Sequence, residues 1–290
     1  MKRLQIFFLM LALVPATRAA AEEWIGLDER QPVLLGIDLG ENEFEDSSQA
    51  LLLGLPFGES FGFYGYYSET QLSDQDQEFD NQALVSTIWL QLSRLVEIEL
   101  QHFFEGKKGE LEKETLGLAL ALEQDGWQFQ IQIAEGETIF FTRSVDSDFF
   151  DNFVPDSFTT DVSAYRVSLG RHGQPWYWQA SYQRYDYEDD LSVLGESRFA
   201  RFVVKSSTLA HSSLLISQNA SLLLGHADLD NDYSVQVFQD RSAIDESIDE
   251  TLVLSWQHWA SQRFGYLLAA ASPLPVDDSI GLTLGLRWAL

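Results

Sequence analysis

The chain has 290 residues, 45% of them hydrophobic and 13% aromatic, a formal net charge of −27 and no cysteine. That length allows one or two domains, and the lack of cysteine argues against both disulfides and a lipidated anchor. With 18 basic residues against 45 acidic ones, nucleic acid is a poor partner, because neutralising phosphates takes Lys and Arg.

At the N-terminus, Lys2 and Arg3 precede a mostly apolar run from Leu4 to Val14, which Pro15 breaks and Ala19, Ala20 and Ala21 follow. This is the pattern of a cleaved signal peptide, so residues 1–21 are predicted to be removed after export through the Sec pathway. The run is too short to span a bilayer, which takes about 20 apolar residues, and no later stretch reaches that length. Removing it also removes Lys2, Arg3 and Arg18, which makes the mature chain more acidic still. Residues 22–32 form a short periplasmic segment, too few for a plug domain.

From residue 33 onward the chain alternates. Leu116, Leu118, Leu120 and Leu122 interleave with Thr115, Gly117, Ala119 and Ala121; Trp127, Phe129, Ile131 and Ile133 interleave with Gln128, Gln130 and Gln132. Side chains of a strand point alternately to its two faces, so each segment has one apolar face and one small or polar face. No segment of useful length shows the i, i+3, i+4 spacing of an amphipathic helix. The rule predicts strands over 33–40, 48–57, 60–69, 82–92, 94–104, 110–122, 127–135 and 160–170. It predicts eight more over 175–187, 197–207, 210–217, 219–228, 233–241, 249–260, 263–272 and 278–290. Sixteen is an even number, as it must be when both termini lie on the periplasmic side. Alternation fades over 197–228, and a different parse there leaves fourteen.

The connections follow a pattern too. At the predicted periplasmic end they are short, as at Gly58-Glu59, Glu123 to Gly126 and Ser261-Gln262. At the other end they are longer, as at Glu41 to Ser47, Thr70 to Asn81, Glu188 to Glu196 and Ser242 to Ile248, and the longest runs from Gly136 to Thr159. Tilted strands of about ten residues, short periplasmic turns and longer outer loops describe a transmembrane barrel. A periplasmic β-sandwich would also alternate but would carry charges on most outward positions. Here the charges sit mainly in the connections. The expected fold is therefore an all-β, antiparallel up-and-down transmembrane β-barrel of about 14–16 strands over 33–290.

The segment from Ser279 to Leu290 alternates most clearly, with Ile280, Leu282, Leu284, Leu286, Trp288 and Leu290 on one parity. Its Thr283, Gly285, Trp288 and Leu290 resemble the C-terminal assembly signal of bacterial outer-membrane β-barrels, with Leu at the last position instead of the more usual Phe or Trp. The resemblance implies a Gram-negative outer membrane, insertion by the barrel assembly machinery, and contact with outer-membrane lipid and lipopolysaccharide. It does not separate one family of barrels from another and leaves the oligomeric state open.

A barrel of this size with a polar lumen has room for water and solute, so passive, porin-like diffusion of small hydrophilic solutes is the expected function. Arg166 and Arg287 take the inward parity of their strands. Set opposite inward Glu97 and Glu99, they would create a transverse field as in diffusion porins. The loop from Thr142 to Thr159 contains Asp146, Asp148, Asp151 and Asp156 beside Phe149, Phe150 and Phe153, and either folds inward as a constriction or stays exposed. The acid-rich loops either solvate the surface or form a negative rim that attracts cations or binds divalent ions, and the rim predicts cation preference. No cofactor is expected.

Chemistry has one candidate. His211 and Ser213 lie two residues apart on one face of the predicted 210–217 strand, and resemble the His-x-Ser pair of outer-membrane phospholipase A and lipid A deacylase. A nucleophilic serine needs an adjacent base and a third group to orient that base. Asn219 and Asp228 stand at neither family's spacing, and the glycine and asparagine that flank the pair are absent. The chain is thus not expected to be an enzyme. A lipid hydrolase remains an alternative, beside a non-conducting structural or adhesin-like barrel. His102, His172, His226 and His258 lack metal-ligand spacing. The run from Asp228 to Asp232 begins like a calcium loop without its glycine or its bidentate Glu, and reads as a turn.

Overall fold

In the computed structural model, fourteen antiparallel strands close on themselves. The structure describes residues 33–42, 47–58, 60–74, 77–141, 157–173, 175–196, 215–274 and 280–290. The strands are β1 (Leu34–Asn42), β2 (Ser47–Pro56), β3 (Phe61–Asp74), β4 (Gln77–Ser93), β5 (Val96–Lys107), β6 (Leu111–Gln124) and β7 (Trp127–Phe141). They continue as β8 (Ser157–Arg171), β9 (Trp176–Tyr187), β10 (Ile216–Ala227), β11 (Asn231–Ser242), β12 (Ile248–Ser261), β13 (Phe264–Leu274) and β14 (Gly281–Ala289). Each pairs with its neighbours in sequence, and β14 returns to β1 with Leu34 opposite Ala289 and Asn42 opposite Gly281. The fold is an up-and-down barrel.

Alternation decides which side of the wall each residue takes. On β6, Leu116, Leu118 and Leu122 stand outward and exposed while Thr115, Ala119 and Ala121 are buried inward. On β14, Leu282, Leu284 and Leu286 point outward, and Thr283, Arg287 and Ala289 point inward. Leu284 is 65% exposed. An outer wall of Leu, Ile and Val on strand after strand is far more apolar surface than water tolerates, and matches the outward band of a membrane barrel. Closure leaves no sheet edge, so backbone N–H and C=O groups at membrane depth are paired within the protein. No helix among the described residues is long and apolar enough to cross a membrane, and the chain crosses with strands instead.

Aromatic side chains gather at the end with the short turns. Trp176 stands edge-on to His226 with ring centroids 4.7 Å apart, Trp256 to Tyr266 at 5.4 Å, and Phe264 lies 5.9 Å from Trp288. Rings with an apolar body and a polar edge favour the membrane–water boundary.

The sixteen predicted strands are corrected to fourteen, the smaller number of the predicted range. β9 pairs directly with β10, from Gln218 opposite Arg184 to His226 opposite Trp176. Both edges of these two strands are therefore occupied, and nothing can be inserted between them as the 197–207 and 210–217 strands required. Leu191–Glu196 forms a 3-10 turn, residue 216 begins β10, and 197–214 lie outside the described residues. The predicted loop from Thr70 to Asn81 is also shorter than expected: β3 continues to Asp74 and β4 begins at Gln77. Backbone pairing persists there although the side chains are mostly polar, so hydropathy misses the strand ends that hydrogen bonding keeps.

Turns of two residues close one end, at 94–95, 125–126 and 262–263, while the other end carries the connections 142–156 and 188–215. Leu191, Leu194, Leu215 and Ile244 are buried at this second end, where Ala243 N donates to Leu215 O at 2.8 Å and ties two of the longer connections together. The inner wall is not uniformly polar. Ala50, Leu52, Tyr66, Ala83 and Val85 form an apolar patch over β2 to β4, and Phe238, Val253, Leu267, Ala269 and Ala271 form another over β11 to β13.

Candidate functional site

Between those patches the inward side chains of β5 to β11 line a polar cavity that is continuous with open solvent. Carboxamides dominate its wall: Gln101, Gln132, Gln179, Gln183, Asn219 and Gln236. Thr115, Ser181 and Ser221 add hydroxyls, Tyr185, Phe103 and Phe238 add rings, and Arg166 is the charged residue of the lining. Gln132 reaches this position because Ile131 and Ile133 take the lipid side. Its Nε2 donates to Gln101 Oε1 at 2.6 Å, and Gln101 Nε2 donates to Thr87 Oγ1 at 3.4 Å. The amide crosses over Gly117, where a Cβ would lie 3.0 Å from Gln132 Nε2. Further along the same wall, Ser181 of β9 and Ser221 of β10 share a hydrogen bond of 2.8 Å.

The predicted lumen charges are placed as follows. Glu97, Glu99 and Arg166 are half-buried on inward positions. Glu99 and Arg166 lie on one register row, Glu99 opposite Ala119, then Gln132, then Arg166. They share a wall, three strands apart, and do not face each other across the lumen. Arg287, on the far side of the ring, is buried and bound to Asp38: Nη1 donates to Oδ1 at 2.5 Å and Nη2 to Oδ2 at 3.1 Å. Its charge is compensated on the spot, so it contributes little field to the cavity.

This pair bridges the seam where β14 meets β1. Asp38 is opposite Gly285 and Gly36 is opposite Arg287, and a Cβ at Gly285 would collide with the Asp38 carboxylate. Gly285, read from sequence as part of the assembly signal, also makes room for the ion pair. Thr283 is buried inward, while Leu290 is exposed. Asp38 is not among the residues that the sequence singles out. Its signal, an acid on the inward parity between Gly36 and Gly40, is masked by the apolar Leu35, Ile37 and Leu39 that dominate the strand.

Nearer the long-loop end, Lys113 and Glu105 are buried inside the barrel. Lys113 Nζ donates to Tyr187 Oη at 3.1 Å and stands 3.6 Å from the Tyr185 ring centroid. Asn81 Nδ2 donates to Glu105 Oε1 at 3.3 Å. The sequence hides this group, because Asn81 falls in a predicted loop and nothing local gives Lys113 a partner. Outside the spanning strands, Asp228 lies in the turn between β10 and β11. Its carboxylate accepts from Asn231 Nδ2 and from the N–H groups of Asp230 and Asn231, which hold it below the usual carboxylate range. The stretch that starts like a calcium loop is a turn.

Asp146, Asp148, Asp151 and Asp156 lie outside the described residues, as do His211 and Ser213. Of the third groups considered for that pair, Asn219 donates to Asp240 Oδ1 at 2.5 Å near one end of β10, and Asp228 holds the turn at the other end. Among the described residues, no group of three His, Asp or Glu is placed to hold a metal ion.

A closed antiparallel ring with an apolar exterior and a polar cavity defines the class: a bacterial outer-membrane β-barrel of porin-like architecture. No protein-family model matches the chain, and no curated protein matches it. Solved structures similar to it include the Acinetobacter baumannii outer membrane protein Omp33, at 7% identity and a TM-score of 0.49, covering 90% of this chain and 99% of that one. The KdgM porin is similar at 7% identity and a TM-score of 0.47 over 89% and 99% of the two chains. The NanC porin is similar at 6% identity and a TM-score of 0.45 over 88% and 100%. These likenesses are loose, and the class rests on the chain's own strands and surfaces.

Proposed function

We propose that the protein is a porin-like channel for passive diffusion of small hydrophilic solutes across the outer membrane, with a preference for cations. The observation that carries this reading is the polar cavity inside a closed barrel whose exterior is apolar. Fourteen strands enclose more space than inward side chains fill in an eight-stranded barrel. Cation preference is supported by the formal net charge of −27 and by exposed carboxylates at the long-loop end, Glu41 and Glu188 among them. The reading requires no cofactor and no catalytic residue.

On the same reading the chain is exported through the Sec pathway with loss of residues 1–21. The barrel assembly machinery then recognises Thr283, Gly285, Trp288 and Leu290. Lipid contacts the outward band, and lipopolysaccharide meets the acidic outer rim through bridging divalent cations. Single-channel recording in a planar bilayer under a salt gradient tests the central claim. Stable conducting steps with a reversal potential on the cation side are expected. A folded barrel that produces no steps removes the channel, and an anion-side potential removes the preference.

A further inference from the structure

The outer rim is acidic, but the middle of the barrel has a different chemistry. Of the polar side chains around the cavity, six are carboxamides and three are aliphatic hydroxyls, and the lining includes no carboxylate. A carboxamide offers two N–H donors and a carbonyl acceptor on one rigid plane, and a hydroxyl both donates and accepts. The lining itself thus offers a cation no carboxylate and an anion the single guanidinium of Arg166. An apolar solute would leave several amides unpaired, which is costly in a confined site. A solute that donates and accepts at many neighbouring positions satisfies the wall. Phe103, Phe238 and the ring of Tyr185 supply apolar surface beside the amides, suited to a molecule with C–H faces between its hydroxyls.

The amide wall is organised. Gln132 is oriented by Gln101, which is itself anchored on Thr87, and Gly117 keeps the crossing clear. Gln132, Arg166, Gln183 and Asn219 follow one another on adjacent strands along a single register row. Polar groups continue from the cavity toward the long-loop end. There Thr70, Asn81, Glu105 and Thr138 are buried in the wall, and Asn81 Nδ2 donates to Glu105 Oε1 at 3.3 Å.

We infer that this cavity is a subsite for neutral, polyhydroxylated solutes of sugar type, recognised by the carboxamides of Gln101, Gln132, Gln179, Gln183, Asn219 and Gln236. The inference rests on the channel reading and names the solute class that such a channel would favour.

The test uses the full mature protein in planar bilayers with sucrose as probe. Poly(ethylene glycol) of similar size serves as control, because along its chain it accepts hydrogen bonds without donating them. Sucrose is expected to block the ion current saturably, at about tenfold lower concentration than the polymer. Gln132→Leu and Gln236→Leu are each expected to raise the blocking concentration by about fivefold, the equivalent of one lost hydrogen bond. Equal, non-saturating effects of sucrose and polymer on a conducting channel overturn the subsite and leave the channel standing. If the folded protein does not conduct, the channel fails, and calorimetric titration of the detergent-solubilised barrel with sucrose then decides the subsite. Binding weakened by Gln132→Leu sustains it, and no heat of binding removes it. Should Gln132→Leu not give a heat-modifiable barrel, Gln236→Leu decides the same point.

Discussion

At the scale of single residues, the seam between β1 and β14 makes the sharpest demand. Asp38 and Arg287 are both buried, and their bidentate contact is what makes two charges tolerable there. Removing one partner leaves the other uncompensated, which costs about 3–5 kcal/mol in buried pairs, whereas replacing both by apolar residues can be close to neutral. Asp38→Ala is therefore expected to lower the temperature at which the folded band disappears on unheated gels, and Asp38→Leu with Arg287→Leu to recover much of the loss. Gly285→Ala should be at least as damaging as Asp38→Ala, because the new methyl group occupies the carboxylate's place. Asp228 provides a test in water. Its carboxylate is held down first by the Asn231 side chain and then by the N–H of Asp230. A group whose folded value is depressed stabilises above its unfolded value and loses that contribution as the pH falls through the folded one. Carbon-13 titration of Asp228 should thus show a midpoint below that of an ordinary aspartate, and Asn231→Ala should raise it.

At the scale of elements, most strands were legible because lipid on one side and a polar interior on the other impose a period of two on every segment that crosses. The predicted 110–122 and β6, or 127–135 and the start of β7, share the same alternation of Leu or Ile with Ala or Gln. Above the apolar band that constraint disappears. β3 and β4 run on to Asp74 and Gln77, where polar residues leave no periodic trace although the backbones stay paired. Between β9 and β10 the sequence misled in the other direction, since short apolar runs suggested two more strands in a ring where β9 and β10 pair directly. The direct pairing of β9 with β10 can be checked by cross-linking. Leu222 is opposite Ala180, and the native chain has no cysteine to interfere. Ala180→Cys with Leu222→Cys should form an intramolecular disulfide under mild oxidation. Absence of that bond in the folded barrel would restore the two extra strands.

At the scale of the whole molecule, the barrel is inside-out relative to a water-soluble sheet protein, and neighbouring residues on one strand should respond oppositely to polarity. Leu118→Arg puts a charge on the lipid face and is expected to cost about 2–4 kcal/mol, read from denaturant unfolding in vesicles. Ala119→Ser, one residue along and facing inward, should change stability by far less. The sequence alone determined the all-β class, the faces of the apolar strand segments and the membrane setting, because hydropathy and a period of two are local properties that survive without knowledge of any partner. It also placed Arg166, Arg287, Glu97 and Glu99 on the inward parity. Only the tertiary structure decided that fourteen strands close the ring, that Arg287 is neutralised by an acid 249 residues away, and that carboxamides from β5, β7, β9, β10 and β11 meet at one cavity. These depend on which strand ends up beside which and in what register, and register is a relation between distant segments that no single segment records.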